Sequence, residues 1–120
     1  TGGGLAANLA RVLPRGGYAR VDRATWTPPA VFEVIGRLGR VPRADLERTL
    51  NLGIGFVAVL PAAQAATAEQ VCRARGIPAW VLGEVGDEAA WTPDPRAEVI
   101  RGAKGVDGGS VQVVGEYPKP

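Results

Sequence analysis

Thr1, Gly2, Gly3, Gly4 and Leu5 form the stretch of this sequence best suited to holding an anion. Three consecutive glycines run into residues 5–13, where apolar side chains fall at i, i+4, i+7 and i+8, the spacing of one helix face. A glycine turn that opens a helix leaves backbone N–H groups unpaired at the positive end of the helix dipole, with no side chains in the way. Phosphates bind in such places. Glycine also tolerates positive φ and lets a ligand approach the backbone closely. The competing reading is a chain end that frays in solvent.

A second group of candidates lies near residue 50. Asn51 falls between a helix and a glycine-rich strand entry, Asn51-Leu-Gly53-Ile-Gly55. Its amide can donate and accept toward a phosphate or carboxamide; equally, Asn tolerates the left-handed conformation of a helix C-cap. Gly53 and Gly55 allow close backbone approach to the first glycine turn or to a ligand. Asn8 is one turn into the first helix, facing either the anion or solvent. Arg11 can pair with a phosphate bidentately or lie in solvent. Glu84 ends an apolar run, at a strand mouth or a plain strand terminus. Asp87, Glu88 and Asp94 read as a solvated acidic cluster. Trp26 and Trp80 read as core residues. The sequence contains no His and one Cys, Cys72. That removes the usual neutral-pH base and argues against zinc, so no metal ligands are assigned. No catalytic residue is assigned either.

These residues need elements to position them. The spacing predicts a helix over Leu5–Leu13, stopped by Pro14, and a strand over Tyr18–Val21. Pro28 and Pro29 open a second helix with an apolar stripe of Val31, Phe32, Ile35 and Leu38, ended by Gly39. A third helix spans Arg43–Thr49. Phe56–Leu60 is a continuous apolar run, as in a strand buried on both faces. A helix from Pro61 to Arg75, capped by Gly76, and a strand over Ala79–Val85 complete a βαβ-like unit. Residues 86–107 read as a loop or insertion. Short strands are expected at Glu98–Arg101 and Ser110–Val114, joined by a turn through Gly105 and Asp107. Residues 1–85 and 108–120 then belong to one domain, with 86–107 between them.

With 120 residues the chain suits one domain. Its apolar content of 46% is ordinary for a globular protein. No apolar run reaches the roughly 20 residues of a membrane span. No basic segment leads into an apolar one, as in a secretory signal. A net charge of +2, from 14 basic and 12 acidic side chains, is too balanced to argue for nucleic acid. One cysteine fits a reducing cytoplasm.

Four runs add a family resemblance. They are Thr1-Gly-Gly-Gly-Leu5, Asn8-Leu-Ala-Arg11-Val-Leu-Pro14, Trp26-Thr-Pro-Pro29-Ala-Val-Phe32 and Thr49-Leu-Asn51-Leu-Gly53-Ile-Gly55. In this order and spacing they resemble the C-terminal domain of the aminoimidazole ribonucleotide synthetases, the phosphoribosylformylglycinamidine cyclo-ligases. The resemblance runs from Thr1 to Glu84 and weakly on to Val114-Gly-Glu116. Leu50 and Phe56 stand where that family has Phe and Met. The family's His before the glycine run and its N-terminal domain are not in this sequence, which reads as a fragment of the C-terminal domain.

The resemblance implies an α+β sandwich: a mixed β-sheet covered by helices, with a split βαβ, partly ferredoxin-like arrangement. It implies ATP-dependent closure of the imidazole ring of formylglycinamidine ribonucleotide in purine biosynthesis, in the cytoplasm. ATP and Mg2+ are implied, with most contacts in the N-terminal ATP-binding domain, and a homodimer for the whole protein. The residues it places at substrate or phosphate are Thr1, Gly2, Gly3, Gly4, Leu5, Asn8, Asn51, Gly53 and Gly55. Alternatives are a selenophosphate synthetase-like member of the superfamily, or a non-catalytic anion-binding or packing module.

Overall fold

The computed structural model describes residues 2–102 and 108–119. Helices α1 (Gly4–Val12), α2 (Ala30–Gly39), α3 (Arg43–Thr49) and α4 (Ala65–Ala74) accompany strands β1 (Gly17–Asp22), β2 (Gly83–Asp87), β3 (Ile100–Arg101) and β4 (Ser110–Val114). The strands form one mixed sheet in the order β2-β1-β4-β3. β1 pairs antiparallel with β2 and parallel with β4, and β3 pairs antiparallel with β4. This is the expected α+β class with a mixed sheet.

The helix α1 lies on the sheet because its apolar face finds the alternating face of β1 and β4. Leu9, Ala10 and Leu13 pack with Ala19, Val21 and Val111, and Trp26 and Ile54 close the cluster. Leu13 leaves the helix in an extended conformation, and Pro14 follows, as the residue before a proline requires. Trp26 is core as expected, and its indole N–H donates to the Leu52 carbonyl at 3.0 Å. Gly4 is the tightest point of the packing. Its φ is +70° and a Cβ there would collide with the Glu47 carbonyl of α3. Only glycine lets α1 and α3 approach so closely.

Several expectations need correction. Residues 56–60 form no strand: Phe56 is 90% exposed, and Val59 and Leu60 are exposed too. A strand exists through its ladder, and among the described residues no strand pairs with this run, so the βαβ unit expected over 56–85 does not form. β2 begins at Gly83 rather than Ala79, because its partner β1 ends at Asp22 and turns into a 3-10 turn. Trp80, expected in the core, precedes that pairing and is 40% exposed. The helix α2 forms where expected, but Val31, Ile35 and Leu38 of its stripe are exposed. Periodicity located the helix and not its cover. Residues 86–107 are not wholly loop, since they hold the end of β2, a 3-10 turn over Glu88–Ala90 and β3. Much of the turn expected after Gly102, with Gly105 and Asp107, lies outside the described residues.

Candidate functional site

A cleft of about 490 Å³ opens between the start of α1, helix α3 and the far end of the sheet. Gly3 and Leu5 form one side, and Glu47, Arg48, Leu50 and Asn51 form the next. Arg96, Ala97, Glu98 and Ile100 face them, over a floor that includes Trp26, Val113 and Tyr117.

The glycine turn is built as a helix entry without a side-chain cap. Gly3, the N-cap residue, has φ +95° and Gly4 has φ +70°. Asn8 holds this turn from behind. Its Nδ2 donates to the carbonyls of Gly2 at 3.1 Å and Gly4 at 2.7 Å, while its Oδ1 accepts from Arg11. The carbonyls of the turn are thus occupied, and the N–H groups of the first helical turn have no side-chain acceptor at the cap. Neither the solvated face considered for Asn8 nor a free Arg11 is what the structure has.

The other expected site residues divide. Gly3, Leu5 and Asn51 meet in the cleft. Gly2 is exposed beside it, and Gly4 is buried against α3. Gly53 has φ +100° and approaches the Pro29 ring, not the first glycine turn. Gly55 is exposed in open space. Thr1 lies outside the described residues. Asn51 is not the C-cap of α3: Leu50 is, in an extended conformation. Instead Asn51 makes a side-chain turn, its Oδ1 accepting from the Gly53 N–H at 3.0 Å. Among the described residues its Nδ2 has no hydrogen-bond partner. Glu84 is exposed within β2, away from the cleft.

Sequence reasoning missed the polar network under the cleft. Arg23 donates from Nε and Nη2 to the two carboxylate oxygens of Glu47, each at 2.8 Å, and from Nη1 to the carbonyls of Val113 and Gly115. The Tyr117 hydroxyl donates to Glu47 Oε1 at 2.9 Å. Arg43 stacks over the Tyr117 ring, 5.0 Å from its centroid, and Trp26 meets that ring edge-on. Burial pushes the Glu47 carboxyl up, but the hydrogen bonds and charge of Arg23 outweigh it and hold the pKa below its ordinary value. Burial, then the Glu47 charge, pushes the Tyr117 phenol well above its ordinary value. Glu47 is therefore an anchored carboxylate and Tyr117 a neutral donor. No local pattern signals this, for Glu47 lies 24 residues from Arg23 and 70 from Tyr117.

The acidic cluster is not simply solvated. Asp87 caps a 3-10 turn, Glu88 pairs with Arg101 and Ser110, and Asp94 pairs with Arg96. Among the described residues no group of three or more His, Cys, Asp or Glu is placed to hold a metal ion. The described residues thus offer no all-protein cage for a metal; Mg2+ is usually held by one or two carboxylates together with waters and phosphates. The uncapped helix start, the Asn51 amide and Arg48 do fit an anionic group. Chemically this is a place for positioning and charge stabilisation rather than proton transfer. Among the described residues no helix is long and apolar enough to cross a membrane.

Known proteins share this arrangement of sequence. The chain is 44% identical over 117 residues to a Streptomyces fradiae protein named provisionally as a phosphoribosylformylglycinamidine cyclo-ligase, covering 98% of this chain and 57% of that protein. It is 43% identical over 101 residues to the phosphoribosylformylglycinamidine cyclo-ligase of Anaeromyxobacter dehalogenans, and 46% identical over 101 residues to that of Symbiobacterium thermophilum. Each of these alignments covers 84% of this chain, but only 29% and 28% of the respective relatives. The model of the AIR synthase related protein C-terminal domain matches residues 1–116, and the chain belongs to that family.

Proposed function

We propose that this chain is one wall of the active site of an ATP-dependent cyclo-ligase that closes the imidazole ring of formylglycinamidine ribonucleotide, giving aminoimidazole ribonucleotide. The observation that carries this reading is the convergence of Gly3 and Leu5 with Asn51, which lies 46 residues beyond Leu5 in sequence, on one cleft. The helix start offers N–H groups to a phosphate, the Asn51 Nδ2 donates beside it, and apolar Leu5, Leu50 and Leu52 exclude water. ATP, when bound, supplies the leaving phosphate. This chain's residues bind and orient. Gly2 supplies an exposed N–H to the same anion, Thr1 is assigned to it by the family resemblance, and Gly4, Asn8, Gly53 and Gly55 shape the backbone around it.

An N-terminal ATP-binding domain completes the site, and Mg2+ is held outside the described residues. Residues 1–85 and 108–120 form one domain, and 86–107 joins them while supplying β3 and the end of β2 to the same sheet. The whole protein works in the cytoplasm as a homodimer.

Asn51→Asp tests this reading in the full-length protein. Aspartate keeps the acceptor for the Gly53 N–H, so the turn survives, but it replaces the amide donor with a negative charge. A hydrogen bond to a charged group is worth about 1.5–3 kcal/mol, so kcat/KM for ring closure is expected to fall about tenfold or more. Unchanged kcat/KM, with folding intact, contradicts it.

A further inference from the structure

Three arginines line the cleft, and they are held in different ways. Arg23 is locked, with Glu47 and two backbone carbonyls as partners and a side chain only 21% exposed. Arg96 is folded back on Asp94, two residues away in its own turn. Arg48 alone reaches across the cleft. Its Nη2 lies 2.6 Å from Glu98 Oε2 on the opposite wall, and its Nη1 is 3.8 Å from Asp45 on its own helix. Arg48 and Glu98 are each more than half exposed.

The backbone that carries Glu98 is fixed on both sides. Gln112, fully buried on β4, accepts from the Asp94 N–H at 2.8 Å and donates to the carbonyls of Asp94 and Ala97 at 2.8 and 2.7 Å. Just beyond Glu98, Ile100 pairs with Val111 of the sheet. Glu98 is therefore presented by a rigid wall, and what can change is a side-chain contact, not a loop. An exposed ion pair is weak and is screened by salt. A phosphate brings more charge and more acceptors than a carboxylate, and arginine binds it bidentately.

We propose that Arg48 is the anion-binding side chain of this cleft and that Glu98 holds its place until a phosphate-bearing ligand exchanges for it. This rests on the cleft being the anion site of the proposed function. Glu98 then acts as a built-in competitor: it keeps Arg48 extended across the opening and swings to solvent when a phosphate arrives. Ligands without a phosphate gain less from Arg48 and still displace that pair, so the exchange favours phosphorylated ligands by about the two- to fivefold that an exposed pair is worth.

The test is a titration of the chain with inorganic phosphate at constant ionic strength, following backbone amide shifts of Gly3, Leu5 and Asn51. It compares the unmodified chain with Glu98→Gln, Arg48→Gln and a control, Glu84→Gln, which removes an equal charge outside the cleft. All three positions are exposed, so folding is preserved. Glu98→Gln is expected to bind phosphate about two- to fivefold tighter, the range an exposed pair commands. Arg48→Gln is expected to bind at least about fivefold more weakly, and Glu84→Gln to match the unmodified chain. Equal affinity in the unmodified chain, Glu98→Gln and Arg48→Gln overturns the exchange while leaving the glycine turn as the anion site. An equal gain in Glu98→Gln and Glu84→Gln reduces Glu98 to bulk charge and also overturns it. Phosphate that moves no amide in any variant overturns both this proposal and the reading of the cleft on which it rests.

Discussion

Replacing Glu47 by Gln removes the centre of the network that joins α3 to the end of the sheet. The carboxylate accepts two hydrogen bonds from Arg23 and one from Tyr117. Glutamine keeps one acceptor but turns an N–H2 toward the guanidinium, donor against donor. A fully buried pair broken in this way costs about 3–5 kcal/mol. Here the side chains are 21% and 19% exposed, so water recovers part of that and about 2–3 kcal/mol is expected. The pH dependence identifies the cause. The folded pKa of Glu47 lies below its ordinary 4.5, so its contribution is fully present above that value and is lost as pH falls through the folded pKa. Urea unfolding, followed by tryptophan fluorescence from about pH 7 to pH 3, measures both terms. The gap between the two proteins should be constant down to about pH 5 and shrink below it. A gap that is absent at neutral pH, or that persists undiminished at the acid end, refutes the assignment.

Tyr117→Phe is expected to cost about 1–2 kcal/mol at neutral pH. Because the Tyr117 pKa is raised, its share of stability is present below its ordinary 10.0 and lost as pH rises beyond it; the Phe variant should lack that alkaline loss when urea unfolding is extended above pH 10.0. Gly4→Ala combines a strained positive φ with a clash on the Glu47 carbonyl, and thermal unfolding should show a loss of about 2–5 kcal/mol. The exposed apolar side chains of α2 and residues 56–60 should make the chain associate, so sedimentation coefficients should rise with concentration. A monomer at every concentration counts against that. Assayed alone, the chain should give no ATP-dependent ring closure, since it matches only 29% and 28% of the length of the cyclo-ligases it resembles.

Local signals carried much of the fold. α3 and β4 lie where the sequence puts them, and α1 is displaced by one residue, because caps, prolines and periodicity act over a few residues. Residues 56–60 illustrate the opposite case: β propensity and hydrophobicity are there, but a ladder needs a partner that no local pattern reports. The site divides in the same way. Gly3, Leu5 and Asn51 were candidates through glycine chemistry and family resemblance, and what the structure adds is that they line one cleft. The Arg23–Glu47–Tyr117 network was not, because three ordinary side chains become a unit only when the fold brings them together. Asn8 was legible as a polar helix residue, but its service to the Gly2 and Gly4 carbonyls depends on two left-handed glycines in succession.

The most direct measurement of the cleft as an anion site is a two-dimensional amide spectrum of this chain with and without phosphate, matched for ionic strength by chloride. Shifts should concentrate at Gly3, Gly4, Leu5 and the Asn51 side-chain amide, saturate together, and vanish in Gly3→Val. Shifts that spread over the exposed arginines without saturating, or that leave the glycine turn and Asn51 unmoved, contradict it.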